Sequence, residues 1–322
     1  MIIKVSIKIF IIVVVIINST LADSVYHDNS DGTVIDILND LQWQKEESSP
    51  MNWEEALTYC ENLDGIGAKS DWRLPNLKEL QSLVDYTRHS PAIDVEHFPG
   101  VGSSNYWSST TSSASGQYGS AYAWRVNFYQ GTWNIFVKTS DSYVRCVRNI
   151  EIVYKKIPDT GQISCYDQSG NKITCPMPGD PMAQDGSYSI NPPSFTDNED
   201  GTVTDNNTGL IWQKTDEGVD RTWGSATSYC ADNIPGLPGA GWRLPTIKEL
   251  VSIRDMEKRI YGRFLNNAFT YYGVGFEKLW SSDVYADDSI RVWYVDLYYG
   301  NVKNKHKDNN SRMGVQCVRD GQ

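Results

Sequence analysis

The chain has 322 residues, with 40 acidic side chains against 29 basic ones and a formal net charge of −11. That balance excludes a surface built as a whole for nucleic acid, anionic lipid or heavily sulfated sugar, and no nucleic-acid partner is expected. The length is comfortable for two domains, each able to bury its own core.

In chain order, residues 1–22 carry Lys4 and Lys8, an apolar run from Ile9 to Ile17 and the small-residue pattern Thr20-Leu21-Ala22, which together read as an export signal. The run is shorter than the ~20 residues of a spanning helix, so no stable membrane insertion is expected once the signal is removed. Loss of the two lysines takes the net charge from −11 to −13.

Residues 23–150 read as a first domain and residues 195–322 as a second, because one ordered series of motifs occurs in both. Thr33-Val34-Ile35-Asp36 followed by Leu41-Gln42-Trp43-Gln44 predicts a hairpin, as does Thr202-Val203-Thr204-Asp205 followed by Leu210-Ile211-Trp212-Gln213. The neighbouring Asp and Asn residues lack the twelve-residue calcium loop with its closing Glu, so turn chemistry accounts for them and no metal is expected. Trp53, Ala56 and Cys60, like Trp223, Ala226 and Cys230, share one helical face behind Asn52 or Thr222 as N-cap.

Trp72-Arg73-Leu74-Pro75 and Trp242-Arg243-Leu244-Pro245 then predict a strand closed by proline. A second helix opens on the capping pairs Asn76/Glu79 and Thr246/Glu249 and reaches about Asp85 or Met256. Arg73 and Arg243 are expected in a structural ion pair or in backbone contacts. Loops from Tyr86 to Asn105 and from Glu257 to Lys278 lead to Trp-Ser-Ser strands. Next come alternating strands that turn Trp124, Val126 and Phe128, or Trp293, Val295 and Leu297, to one side. Residues 151–194 read as a Pro/Gly-rich linker with a stapled loop.

The six cysteines are an even set in a chain read as exported. Cys60 and Cys146 hold the repeat positions of Cys230 and Cys317, so symmetry predicts Cys60–Cys146 and Cys230–Cys317 and leaves Cys165–Cys175 as a local bridge. Each long bridge is worth about 4–5 kcal/mol by loop entropy. The histidines, His27, His89, His97 and His306, are not related by the repeat, and neither His-Glu-x-x-His nor Gly-x-Ser-x-Gly occurs. No catalytic residue and no cofactor are expected.

The duplicated Asp-Gly-Thr-Val, Trp-Gln-Lys, Trp-x-x-Ala-x-x-Tyr-Cys, Trp-Arg-Leu-Pro-x-x-x-Glu-Leu, Trp-Ser-Ser and Val-x-Cys-Val-Arg series resembles the bacterial DUF1566 family. That domain is also found at the C-terminus of the Legionella collagen-like adhesin. The resemblance covers about Asn29 to Arg148 and Asn198 to Arg319. It implies an α+β fold of two tandem C-type-lectin-like domains, each with two helices on small antiparallel sheets and a bridge from first helix to last strand. It further implies an exported, non-catalytic recognition or adhesion protein, in the periplasm, at the cell surface or outside the cell, with a glycan or protein ligand. The sugar-binding triplets Glu-Pro-Asn, Gln-Pro-Asp and Trp-Asn-Asp are missing from this sequence, so calcium-bridged sugar binding is not expected. The alternatives are an enzyme related to formylglycine-generating oxidases and a structural envelope protein. Loops that differ between the copies are where recognition is expected, and Tyr271, Tyr272, Asp287 and Asp288 are the candidate ligand-binding residues.

Overall fold

The computed structural model describes residues 25–67, 70–101, 105–113, 119–150, 157–216, 218–232, 236–257, 259–260, 263–270, 277–308 and 311–321. The export signal lies outside them. Each half has one four-stranded and one three-stranded antiparallel sheet and two short helices. In the first half the strands are β1 (Tyr26–Asp28), β2 (Thr33–Asp36), β3 (Leu41–Gln44), β4 (Asn105–Thr111), β5 (Tyr122–Asn127), β6 (Thr132–Val137) and β7 (Val147–Asn149), in orders β1-β2-β3-β7 and β4-β5-β6. The connecting segment adds a small hairpin, β8 (Cys165–Tyr166) with β9 (Lys172–Ile173). The second half repeats the plan with β10 (Phe195–Asp197), β11 (Thr202–Asp205), β12 (Leu210–Gln213), the hairpin β13 (Arg259–Ile260) and β14 (Arg263–Phe264), then β15 (Lys278–Val284), β16 (Arg291–Asp296), β17 (Val302–His306) and β18 (Val318–Asp320). Its sheet orders are β10-β11-β12-β18 and β15-β16-β17. The helices are α1 (Trp53–Glu61), α2 (Leu77–Ser82), α3 (Trp223–Ala231) and α4 (Ile247–Ser252).

The predicted caps are present. Asn52 accepts from Glu55 N–H, and Asn76/Glu79 and Thr246/Glu249 form reciprocal capping boxes. The second helices, however, stop at Ser82 and Ser252 instead of running to Asp85 and Met256. The Ser82 and Ser252 hydroxyls donate back to the carbonyls of Glu79 and Glu249, which competes with a further turn. The Trp-Arg-Leu-Pro segments are extended but pair only through single bridges, Arg73 with Val147 and Arg243 with Val318, so they are not strands. All six cysteines are bridged, Cys60–Cys146, Cys165–Cys175 and Cys230–Cys317, the arrangement of a protein folded in an oxidising compartment.

Two satellite cores surround the long bridges: Trp53, Trp72 and Trp107 in the first half, Trp242 and Trp280 in the second. The main core is shared. It runs from Val34 through Leu80, Trp124 and Trp133 into Leu250, Phe264, Trp293 and Val318. This departs from the expectation of two separately folding units. The seam has an approximate twofold character: Tyr86 meets Trp293 edge-on at 5.0 Å, while Trp124 meets Phe264 at 6.0 Å. Reciprocal lysines close it. Lys78 Nζ donates to Ser252 O at 3.0 Å and Lys248 Nζ to Ser82 O at 2.8 Å, so each half caps the helix C-terminus of the other.

Gly300 turns β16 into β17 with φ +77°, and a Cβ there would stand 2.6 Å from Trp124 of the other half; Gly209 has φ +75° and open space around it. Gly209→Ala is expected to cost about 1 kcal/mol from the left-handed backbone alone. Gly300→Ala should cost about 2–3 kcal/mol more because the seam is overpacked as well. Urea unfolding of both variants checks this, and equal costs would show that Gly300 does not hold the seam.

Candidate functional site

Of the predicted ligand residues, Tyr271 and Tyr272 lie outside the described residues. Asp287 and Asp288 sit between β15 and β16, where Asp288 accepts from Ile290 N–H at 3.1 Å and fixes the turn. Asp287 remains 56% exposed in its side chain and reaches His89 Nε2 of the first half at 3.0 Å. The His89 ring faces the ring of Tyr285 at 6.4 Å, and Tyr285 stands edge-on to the buried Trp293 at 5.3 Å. Partial burial, then the charge of Asp287, holds the Tyr285 phenol above its ordinary range; Tyr129 of the β5–β6 turn also acts on it. Tyr129 itself is exposed.

The seam therefore brings aromatic rings from both halves, and two carboxylates from the second, to one surface, on loops anchored by a packed tryptophan. Phenols and imidazole offer flat apolar faces with polar tips, and the two carboxylates accept from hydroxyl or cationic groups. Sequence reading placed His89 in the loop from Tyr86 to Asn105. Its partner is nearly two hundred positions away in the other half, a pairing that no local pattern announces.

A second polar cluster is buried where the connecting segment packs on the first half as a strap. Arg73 forks onto Glu79 at 2.6 and 2.7 Å, one of the two arrangements expected from the sequence, and Arg243 forks likewise onto Glu249. Leu77 N–H donates to the Thr110 hydroxyl, which donates to Asp185 of the strap at 2.6 Å; Thr160 donates to the same oxygen at 2.7 Å. Asp159 accepts from Thr160 N–H and from Asn76, while its backbone carbonyl takes Lys78. Lys138, fully buried, lies over the Trp53 ring at 3.8 Å and donates to Asp167 O of the strap. Burial pushes its ammonium down to about 7.

Burial, then the neighbouring charge of Glu79, pushes Asp159 up to about 6; burial, then the charge of Asp159, pushes Asp185 well above the ordinary carboxylate range. Burial and neighbouring negative charge both disfavour ionising the two acids together. Asp159 and Asp185 belong to the strap, and their bonds to Asn76 and Thr110 latch it to the first half.

Among the described residues no group of three or more His, Cys, Asp or Glu side chains is placed to hold a metal, and no helix is long and apolar enough to cross a membrane. Fold and site thus define a tandem of disulfide-pinned α+β modules fused across a seam, with its exposed polar-aromatic cluster at that seam. The chain belongs to the family of the Lcl C-terminal domain, whose model matches residues 32–148 and again 201–319. A search of curated proteins finds no match.

The latch gives a signed pH dependence. Asp159 takes up its proton at about 6 in the folded chain, against about 3.9 unfolded, so between those values the folded state holds more protons. Its contribution to stability is full below the lower value and is lost as the pH rises through the upper one. Asp159→Asn should therefore gain on the wild type in urea midpoint as the pH is raised from about 4 to about 7. A difference between the two chains that stays constant over that range would show that the Asp159 carboxyl is not raised in the folded state.

Proposed function

We propose that the protein is an exported, surface-associated, adhesin-like recognition module, non-catalytic, whose two halves each have a C-type-lectin-like fold. Its ligand is a carbohydrate or protein surface rich in hydroxyl groups. The family supports the adhesin-like reading, and the three disulfides support an extracytoplasmic place, whether periplasm, cell surface or medium. With every cysteine in a bridge, the thiol chemistry of a formylglycine-generating oxidase has no free sulfur to use.

The observation that carries the proposal is the meeting of His89 and Asp287 from opposite halves beside Tyr285. Rings stack on the apolar faces of a sugar or side chain, and carboxylates fix orientation through hydroxyls. Because the cluster spans the seam, it is preorganised by the core beneath it, which lowers the entropic cost of binding.

A glycan and protein array probed with residues 23–322 is the test. Asp287→Asn with Asp288→Asn should lower binding by roughly tenfold, the size of one lost charge-assisted contact of about 1.4 kcal/mol, while the melting temperature barely moves. Tyr271→Ala with Tyr272→Ala should behave alike. Unchanged array binding in both pairs would place the site elsewhere.

A further inference from the structure

In the first half, residues 162–170 of the strap cover the side of the β4-β5-β6 sheet that carries α1. The Gln162 carboxamide bonds both the N–H and the C=O of Thr111, at 2.8 and 2.9 Å. Gly170 O accepts from the Ser120 hydroxyl at 2.8 Å, and a Cβ on Gly170 would meet Ala121 N at 2.5 Å. Lys138 donates to the carbonyls of Tyr166 and Asp167 over a Trp53 ring that is fully buried.

The repeat equivalents of Thr111, Ala121, Lys138 and Trp53 are Val284, Ile290, Lys307 and Trp223. Lys307 N–H meets Ile290 O at 3.0 Å, as Lys138 N–H meets Ala121 O. This second face is open. Val284 is 39% and Ile290 49% exposed, and Trp223, 5.2 Å beneath the Lys307 ammonium, is half-buried. Tyr285 N–H donates to Arg291 O at 2.9 Å, so Val284 and Val292 form a pair that exchanges no hydrogen bond, and the Val284 N–H and C=O point off the edge of β15. Thr111 stands the same way beside Ala123, where Gln162 fills the edge. Among the described residues nothing fills it at Val284. An open edge beside exposed apolar side chains is a template for another chain.

The two faces differ in charge. Around Lys138 the carboxylates of Glu54 and Asp167 favour the ammonium. The counterpart of Glu54 is Gly224. Lys303, Lys305 and Lys307 alternate to one side along β17 and the residue after it, and among the described residues none of the three ammoniums has an ion pair or a hydrogen bond.

We infer that this face docks an extended acidic segment of another protein. A carboxamide or main-chain group of the segment pairs with Val284, an apolar side chain covers Val284 and Ile290, and carboxylates meet Lys305 and Lys307. Successive side chains alternate, so the face lies on the side of the sheet away from Tyr285 and Trp293, and the inference is independent of the Asp287 cluster.

The probe is a capped, dye-labelled peptide of residues 162–167, with serine in place of its cysteine and three glutamates added at its end, read by fluorescence anisotropy against residues 23–322. Capped tetraglutamate has the same formal charge. The longer peptide should bind about tenfold more tightly, the worth of the added hydrogen bonds and apolar contact. Lys305→Gln with Lys307→Gln should weaken it about fivefold, the order of two exposed ion pairs, and flatten its salt dependence. Val284→Asp, which sets a carboxylate at the open edge, should abolish binding while the melting temperature barely moves. Tetraglutamate binding as tightly as the peptide would reduce the face to charge attraction and overturn the docking assignment. No binding by the wild type, or peptide binding that survives either variant, would overturn the site.

Discussion

A helix of six residues cannot satisfy its own backbone, because the first four N–H groups and the last four carbonyls have no partner within it. Both second helices, α2 and α4, face this problem, and the rest of the molecule is arranged around its solution. Their N-termini are closed by capping boxes and by a hydroxyl or carboxylate from the neighbouring strand. Their C-termini are closed by a lysine from the opposite half. Neither half alone supplies all these partners, so the seam is as much a part of the secondary structure as it is of the core.

The two halves solve the N-terminal problem differently, and the difference explains the strap. In the second half Asp283 accepts from Ile247 N–H directly at 2.6 Å. In the first half the same position is Thr110, which passes the bond to Asp185 of the strap. The strap is further held by Glu54, which accepts from Gln168 N–H, and by Glu61, which accepts from Tyr188. Leu57 is buried on that side. Their counterparts are Gly224, Ala231 and Thr227, so α3 has nothing to hold a second strap and faces solvent with small polar residues.

Local and repeated features were legible in the sequence. The caps at Asn76 and Thr246, the hairpins and the long bridges follow from turn chemistry, period two and the matching positions of Cys60 with Cys230 and Cys146 with Cys317. The seam was not legible. Lys78 stands between Leu77 and Glu79 and reads as a solvated residue on a helix, yet it is buried with a partner 174 positions away. A segment with six prolines reads as a linker, while Asp159, Thr160, Gln162 and Asp185 within it are buried and bonded. Non-local pairing leaves no period to find. The same limit applied to the candidate site, where variable loops pointed to Asp287 and Asp288 but not to His89.

The central claim is that reciprocal capping and a shared core make the two halves one cooperative unit. Scanning calorimetry of residues 23–322 with disulfides intact tests it most directly. The account predicts a single transition whose calorimetric and van't Hoff enthalpies agree. Two resolved transitions, each with about half the enthalpy, would contradict it and return the protein to two domains on a string.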